Sequence, residues 1–133
     1  MDFTTVKIPV TTRQLADVFI TAFEGGIAYW CASAKPRFTY PKLLNKKEPW
    51  YAQPVFWEQG DFKITFEPVD PEDKEARVTL TPRKLRDGLH VLAKQRPDLF
   101  AKLVTPDGRD DYPDASEADA IIQLIVLQDI IFG

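Results

Sequence analysis

The apolar segment from Ala118 to Phe132 constrains the fold more than any other part of the chain. Only two aspartates and two glutamines interrupt it. It is shorter than the roughly 20 residues that a helix needs to cross a bilayer. In a globular protein, a helix that is apolar nearly all round is covered by neighbours on every side. The segment therefore predicts a buried C-terminal helix, either at the centre of the fold or in a homo-oligomer interface.

Two amphipathic helices precede this segment. Thr11 and Gln14 have the spacing of a capping box, which predicts a helix over 12–24 with one apolar stripe. Gly25-Gly26 is expected to end that helix in a left-handed C′ conformation. Thr81-Pro82 predicts a second helix that runs to about 95, and one or two further turns over 98–104. Ser116-x-x-Asp119 is the capping signal expected for the last helix.

Residues 62–66 and 76–80 alternate between apolar and polar side chains, which predicts two strands with a turn over 68–75. Residues 27–38 are expected to be extended, and Val6, Ile8 and Val10 predict a short edge strand. Residues 36–58 form a predicted long loop rich in proline and aromatic side chains. The fold class is therefore α+β: a small antiparallel sheet packed with two amphipathic helices and an apolar C-terminal helix. At 133 residues with 44% hydrophobic side chains, the chain is expected to form one domain over 1–133.

Composition argues against several classes of function. A pI of about 5.2 and a net charge of −3 disfavour duplex DNA as a partner. One cysteine and one histidine, Cys31 and His90, allow neither an internal disulfide nor a cysteine-based zinc site. Catalytic serine motifs, phosphate-binding glycine loops and dinucleotide fingerprints are absent from the sequence. We therefore expect a binding protein without catalytic residues, metal or cofactor. The N-terminus lacks a signal-peptide pattern, so a cytoplasmic protein without a membrane partner is expected.

The first candidate binding site is the segment Glu24-Gly25-Gly26-Ile27-Ala28-Tyr29-Trp30. A glutamate in the last turn of a helix faces the negative end of the helix dipole and therefore needs a compensating donor or ligand. The glycines allow close backbone approach, and the two aromatic rings offer flat surfaces with polar groups. Together they could clamp a nucleobase. The alternative is purely structural: a helix end, two core aromatics and a glutamate paired with a lysine.

The second candidate site is the aromatic cluster Trp50, Tyr51, Phe56 and Trp57, which follows Lys42, Lys46 and Lys47. Interleaved cations and aromatics bind nucleotides and single-stranded nucleic acid, and they also make protein-binding hot spots. The structural alternative is a proline-rich loop that its aromatic side chains fix to the domain.

Polar residues near the C-terminus form the third group. Asp119 and Gln123 stand at i, i+4 on the last helix and could bond each other, share a polar pocket or satisfy the backbone of a nearby loop. An acidic run consists of Asp107, Asp110, Asp111, Asp114 and Glu117. Its spacing does not fit an EF-hand loop, so it is expected to be a solvated acidic surface. His90 is expected to pack at the surface.

Two stretches resemble a family of small uncharacterised bacteriophage and prophage proteins. One is Ala22-Phe23-Glu24-Gly25-Gly26 followed by Tyr29-Trp30, and the other is Ala118-Asp119-Ala120 with Gln123 and the ending Phe132-Gly133. Thr79-Leu80-Thr81 and Gly88-Leu89 also fit the family. Ile27-Ala28 replaces a more usual small polar pair, and Phe132 replaces a more usual tyrosine. The likeness fades across residues 38–60.

The resemblance implies a phage setting and supplies no mechanism. By analogy, we expect an accessory protein that counters host defence by sequestering a nucleotide-type signalling molecule. The alternatives are a stoichiometric inhibitor of a host bacterial protein, acting through an acidic or aromatic surface, and a minor virion or assembly protein.

Overall fold

The computed structural model describes residues 8–104 and 112–133, and these residues have an α+β fold, as predicted. Five α-helices and a three-stranded antiparallel sheet are present among them. In chain order they are α1 (Thr12–Thr21), β1 (Cys31–Arg37), α2 (Pro54–Trp57), β2 (Lys63–Pro68), β3 (Val78–Leu80), α3 (Pro82–Gln95), α4 (Pro97–Leu103) and α5 (Ala115–Val126). Within the described residues, no helix is long and apolar enough to span a membrane.

The sheet is a meander in the order β1-β2-β3. Ala34 pairs with Phe66, and Phe66 pairs with Val78. Neighbouring strands of the sheet are therefore consecutive in the chain. β1 is an edge strand, and Pro36 lies within it, where the missing N–H is tolerated. Lys35 and Arg37 flank that proline, and charges of this kind on an edge oppose pairing with another chain. Ala76 belongs to a 3₁₀ turn over Lys74–Ala76, so β3 begins two residues later than predicted.

α1 begins as the sequence predicts and ends differently. Both hydrogen bonds of the Thr11–Gln14 capping box are present. After Thr21 the chain continues into a π-helical turn, Ala22–Gly26, which the Ile27 N–H closes by donating to the Ala22 carbonyl at 3.0 Å. The expectation of a left-handed glycine C′ was wrong, because Gly25 has an extended φ of 169°. The wide turn carries the chain directly towards β1.

α5 lies at the centre of the fold, as its apolar surface predicts, and it packs against α1, the π-turn, α3 and α4. Six consecutive residues, 121–126, are buried. α3 crosses α5 very closely at Gly88, where a Cβ would lie 2.0 Å from the Ile125 carbonyl oxygen. The cap of α5 is the box Asp114–Glu117, not Ser116–Asp119 as predicted.

The helical part of the C-terminal segment is shorter than expected. α5 ends at Val126, and Gln128 takes a left-handed backbone with φ 61° at the C′ position. The chain then turns back, leaving Ile130 and Ile131 each 41% exposed. The last residues therefore lie across the helix instead of extending it, which places Phe132 next to residues of the first candidate site.

The predicted loop over 36–58 contains three short helical pieces: the 3₁₀ turns Pro41–Leu43 and Trp50–Ala52, and α2. The predicted N-terminal strand is not formed in the described residues, because Ile8–Val10 belongs to no element and Ile8 is 56% exposed. Val6 lies outside the described range.

Candidate functional site

Four polar or aromatic side chains that lie about 90 residues apart in sequence meet in one hydrogen-bonded network. The Asp119 carboxylate accepts from the Tyr29 hydroxyl at 2.5 Å and from the Trp30 indole N–H at 2.8 Å. The Gln123 amide donates to the same carboxylate at 2.9 Å. Asp119 and Gln123 therefore bond each other, which is one of the outcomes expected from their i, i+4 spacing. The network joins the first candidate segment to the C-terminal polar pair.

The Gln123 side chain, which is only 1% exposed, also holds the last residues of the chain. Its Oε1 accepts from the backbone N–H groups of Ile131 at 2.8 Å and Phe132 at 2.9 Å. Its Nε2 donates to the Phe132 carbonyl at 3.2 Å. The Phe132 ring lies on the Trp30 indole with centroids 5.3 Å apart and an interplanar angle of 5°. The Gln123 amide therefore bonds the backbone of Phe132, and the Trp30 indole packs against its ring.

Two backbone features place these groups. The π-turn brings Gly26 so close to the start of α5 that a Cβ there would lie 2.7 Å from the Ala115 carbonyl oxygen. A side chain at this position would push α5, and Asp119 with it, away from Tyr29 and Trp30. The Asp114–Glu117 capping box fixes the start of α5, and Ala115, which Gly26 approaches, lies within it. Glycine is thus required at 26 because of a close approach, and not because of its φ.

A groove of about 510 Å³ opens beside the network. Tyr29 is 52% exposed, and its hydroxyl is fixed by Asp119, so the ring presents a flat surface in one orientation. Burial, the hydrogen bond to Asp119 and the negative charge of that carboxylate raise the pKa of Tyr29 to about 12. The groove is lined by Gly25, Gly26, Tyr29, Arg96, Ala115, Ser116, Asp119, Ala120, Gln123, Ile130, Phe132 and Gly133.

The groove contains one cation and one hydroxyl that the sequence argument did not select. Arg96 ends α3 and forms a two-point ion pair with Asp98 at 2.9–3.1 Å, and its side chain is 42% exposed. Ser116 is exposed in the first turn of α5. Arg96-Pro97 is only a helix break in sequence, and nothing in its local pattern links it to residues 25–29. Phe132 entered the sequence argument through the family resemblance alone.

Five of the predicted site residues therefore line the groove: Gly25, Gly26, Tyr29, Asp119 and Gln123. Trp30 belongs to the network but is 2% exposed, because Phe132 covers it. Its ring offers no free stacking surface in this conformation.

Glu24 lies elsewhere. Its side chain is exposed and lines a different depression together with Arg13, Ile20 and the loop from Glu48 to Val55. It approaches Tyr51, whose pKa is raised by burial and, secondarily, by the Glu24 charge. In the described residues, no ion pair joins Glu24 to a lysine. The structure therefore separates Glu24 from Tyr29 and Trp30, against the expectation of one clamp.

The second aromatic cluster packs into the core. Trp57 is 5% exposed and its ring stacks on Phe19 at 4.3 Å, while its indole N–H donates to the Tyr51 carbonyl at 3.0 Å. Trp50 and Tyr51 are half-buried against Phe23. The loop is thus fixed to the domain by its aromatic side chains, which is the structural alternative given above. Phe56 is fully buried, and Lys42, Lys46 and Lys47 are exposed.

The two aromatic clusters do not share a pocket in the described part of the chain. Trp50 and Tyr51 line a separate groove of about 260 Å³ with Phe23, Ile27 and residues of β1. Sequestration of a nucleotide by stacking on both clusters predicts one pocket that contains them, and that prediction is wrong for the described residues. Tyr29 remains as the exposed aromatic surface of the groove at α5.

The acidic run is only partly described. Asp107, Asp110 and Asp111 lie outside the described residues, whereas Asp114 and Glu117 cap α5 and Glu117 also pairs with Lys102. Among the residues that the structure describes, no group of three or more histidine, cysteine or acidic side chains is placed to hold a metal ion. His90 is exposed on α3, as expected.

Comparison of the chain with protein-family models, with curated proteins and with solved structures found no match. The function must therefore be argued from the groove itself.

Proposed function

We propose that this chain is a binding protein without catalytic activity, and that its ligand is a small nucleotide-type molecule held in the groove beside α5. The observation that carries the proposal is the network in which Asp119 fixes Tyr29 and Trp30 while Gln123 fixes Asp119. It joins the two sequence motifs that are farthest apart and immobilises an exposed aromatic ring at the wall of a groove. A ring held in one orientation loses little entropy when a ligand stacks on it.

The groove supplies both kinds of contact that a nucleotide needs. Stacking of a base on an aromatic side chain contributes about 1–3 kcal/mol, and Tyr29 offers such a surface. Arg96 lines the same groove; its Nε and Nη2 donate to Asp98, and its remaining N–H donors are available to phosphate oxygens. Ser116 and the first turn of α5 add a hydroxyl at the positive end of a helix dipole. A groove of about 510 Å³ is within the ordinary range for sites of small ligands.

The setting follows from the family resemblance and belongs to the proposal. The protein would act in the cytoplasm of an infected or lysogenic bacterium and withhold a nucleotide signal from a host defence system. It would do so by stoichiometric binding, with no chemical step.

The first experiment is native mass spectrometry of protein purified gently from bacteria that express nucleotide-signalling immune systems, followed by denaturation. We expect a nucleotide to be released in stoichiometric amount. Its identity then sets the ligand for isothermal titration calorimetry. An empty protein that also binds no member of a panel of mono-, di- and cyclic nucleotides would refute the proposal.

Substitutions of Tyr29 test whether the ligand binds in this groove. Tyr29→Ala should weaken binding about 5- to 150-fold, which corresponds to the loss of one stacked base. Tyr29→Phe keeps the ring and loses the hydroxyl that Asp119 fixes, so it should weaken binding less than Tyr29→Ala. Tyr40→Ala is the matched control, because Tyr40 is 62% exposed and lies outside the groove. If Tyr29→Ala binds as tightly as Tyr40→Ala, the ligand lies elsewhere.

A second pair of variants tests whether Arg96 binds a phosphate. Arg96→Gln should weaken a phosphate-bearing ligand and leave a nucleoside unaffected. Arg77→Gln is the control, because Arg77 forms a comparable surface ion pair with Glu67 at 2.8 Å and does not line the groove. Equal effects of the two substitutions would argue against a phosphate at Arg96.

A second candidate function, inhibition of a host protein, is favoured by the apolar rim of the same groove. Ile130 is 41% exposed and lines the groove together with the exposed Tyr29 ring. Ile130→Asp should abolish binding of a host polypeptide. Charge reversal at Asp114 is a poor test of this candidate, because that residue caps α5.

A further inference from the structure

Phe132 makes the contacts with Trp30 and Gln123 that a nucleobase would make. Its ring lies parallel to the Trp30 indole, with centroids 5.3 Å apart. Its backbone presents one donor and one acceptor to a single amide: the N–H to Gln123 Oε1 at 2.9 Å and the carbonyl to Gln123 Nε2 at 3.2 Å. In Phe132 the ring and the donor–acceptor pair are separate groups; a nucleobase carries a flat face and such a pair in one group, and glutamine amides pair with base edges in two-point geometry.

We propose that the base of the bound nucleotide replaces Phe132 on Trp30 and pairs with the Gln123 amide, so that residues 130–133 act as an internal competitor for the ligand. This inference rests on the proposed function and names how the base is recognised. Trp30, which Phe132 covers in this structure, then becomes a second stacking surface for the base, beside the fixed Tyr29 ring.

The attachment of the segment is suited to displacement. Ile130 and Ile131 on the same segment are each 41% exposed, so they hold it in place less firmly than fully buried side chains would. The chain enters the segment through Gln128, whose φ of 61° is a conformation that side chains other than glycine adopt at a cost. The segment is therefore held mainly by Phe132 and by the Gln123 amide.

The Gln123 amide makes displacement selective. When the segment leaves, Oε1 loses two donors and Nε2 loses one acceptor, while the bond from Nε2 to Asp119 stays. Oε1 would then lack a donor, and a buried polar atom without a partner is costly, so an incoming group must supply a donor and gains a further bond if it also accepts from Nε2. A phenyl ring alone would not do so, whereas every nucleobase carries such a pair on an edge.

Hydrogen exchange tests the displacement directly. The amides of Ile131 and Phe132 are both bonded to Gln123 Oε1, so they report whether the segment is in place. With the nucleotide identified above, we expect exchange at these two amides to become faster on ligand binding, while exchange in the rest of the groove becomes slower. Binding that leaves the two amides unchanged or slower would overturn the inference and leave the proposed function standing.

Variants give the second test. Phe132→Ala removes the competing ring and should tighten nucleotide binding about two- to tenfold, in line with the strength of a single aromatic pair. Leu43→Ala is the control, since its side chain is 56% exposed and lies outside both the groove and residues 130–133, and it should leave affinity unchanged. Weaker binding by Phe132→Ala, with an unchanged circular dichroism spectrum, would overturn the inference.

The remaining outcomes separate the two proposals. Equal nucleotide affinity of Phe132→Ala and wild type would refute the competitor role of the segment and leave the proposed function standing. Absence of binding by both would refute the proposed function, and the inference with it. Gln123→Glu supplies a check on base pairing: it keeps an acceptor and removes the donor, so it should change the order of affinity among the bases.

Discussion

Replacing Gly88 with alanine would place a methyl group against the backbone of α5. The added Cβ would lie 2.0 Å from the Ile125 carbonyl oxygen and 2.6 Å from the Ile125 Cα. Ordinary contact begins at 3.4 Å, so the two helices would have to separate by about 1.4 Å at this point. Since the obstructing atoms are backbone atoms, no side-chain rotation relieves the clash.

Two opposing free-energy terms decide the result. Alanine favours a helix interior over glycine by about 1 kcal/mol, which would stabilise α3. Overpacking in a well-packed core costs about 1–3 kcal/mol, and a backbone clash lies at or above the upper end of that range. We therefore expect Gly88→Ala to lower the free energy of unfolding by about 2 kcal/mol. For a domain of this size, the melting temperature should fall by about 6–10 °C.

Urea denaturation followed by circular dichroism measures this difference. Gly60→Ala is the control, because a Cβ at Gly60 meets nothing within 4 Å. It should be close to neutral or slightly stabilising. If Gly88→Ala is as stable as Gly60→Ala, α3 and α5 do not cross as closely as described, and the placement of Asp119 and Gln123 on α5 would need revision.

Three further predictions concern the cap, the tyrosine and the cysteine. Asp114→Ala should destabilise the protein by about 1 kcal/mol through loss of the α5 cap, whereas Ser116→Ala should have little effect, and chemical denaturation distinguishes the two. The Tyr29 hydroxyl keeps its proton to a pKa of about 12, against 10.0 ordinarily. The stabilisation that the protonated Tyr29 hydroxyl provides is therefore complete below pH 10 and falls as the pH rises from 10 to 12. In an ultraviolet titration, Tyr29→Phe should remove one tyrosine that titrates late. An unchanged titration curve would contradict this. Burial raises the pKa of the Cys31 thiol to about 11, so alkylation at pH 8 should be slow in the folded protein and should become fast in denaturant.

Local sequence patterns predicted the elements of this fold well. The Thr11–Gln14 box, the Thr81-Pro82 start and the alternation over 62–66 each depend on neighbours within a few residues, and the structure confirms each of them. The wrong cap for α5 arose because two local signals competed. Asp114–Glu117 and Ser116–Asp119 are both capping patterns, and Asp119 is unavailable as a cap partner because Tyr29 and Trp30 use its carboxylate.

The candidate site was predictable only in part, since its geometry depends on contacts between distant elements. The residues around Tyr29 and around Asp119 were each identified from their own surroundings. Their contact with each other could not be predicted, because no local sequence pattern indicates that a π-turn packs against α5. Arg96 was missed for the same reason. Glu24 was wrongly grouped with Tyr29, since the π-turn directs the two side chains to different depressions.

The network also sets when the site can form during synthesis. Tyr29 and Trp30 contact Asp119 at sequence separations of 90 and 89 residues, and contacts at such large separations form slowly during folding. The ribosome must release the chain through Phe132 before Gln123 can close the network around Trp30. Until Asp119 has been synthesised, the Trp30 indole N–H lacks the acceptor that it has in the folded protein. A chain interrupted before α5 would keep Tyr29 and lose its orientation, so binding capacity would appear only after α5 has been synthesised.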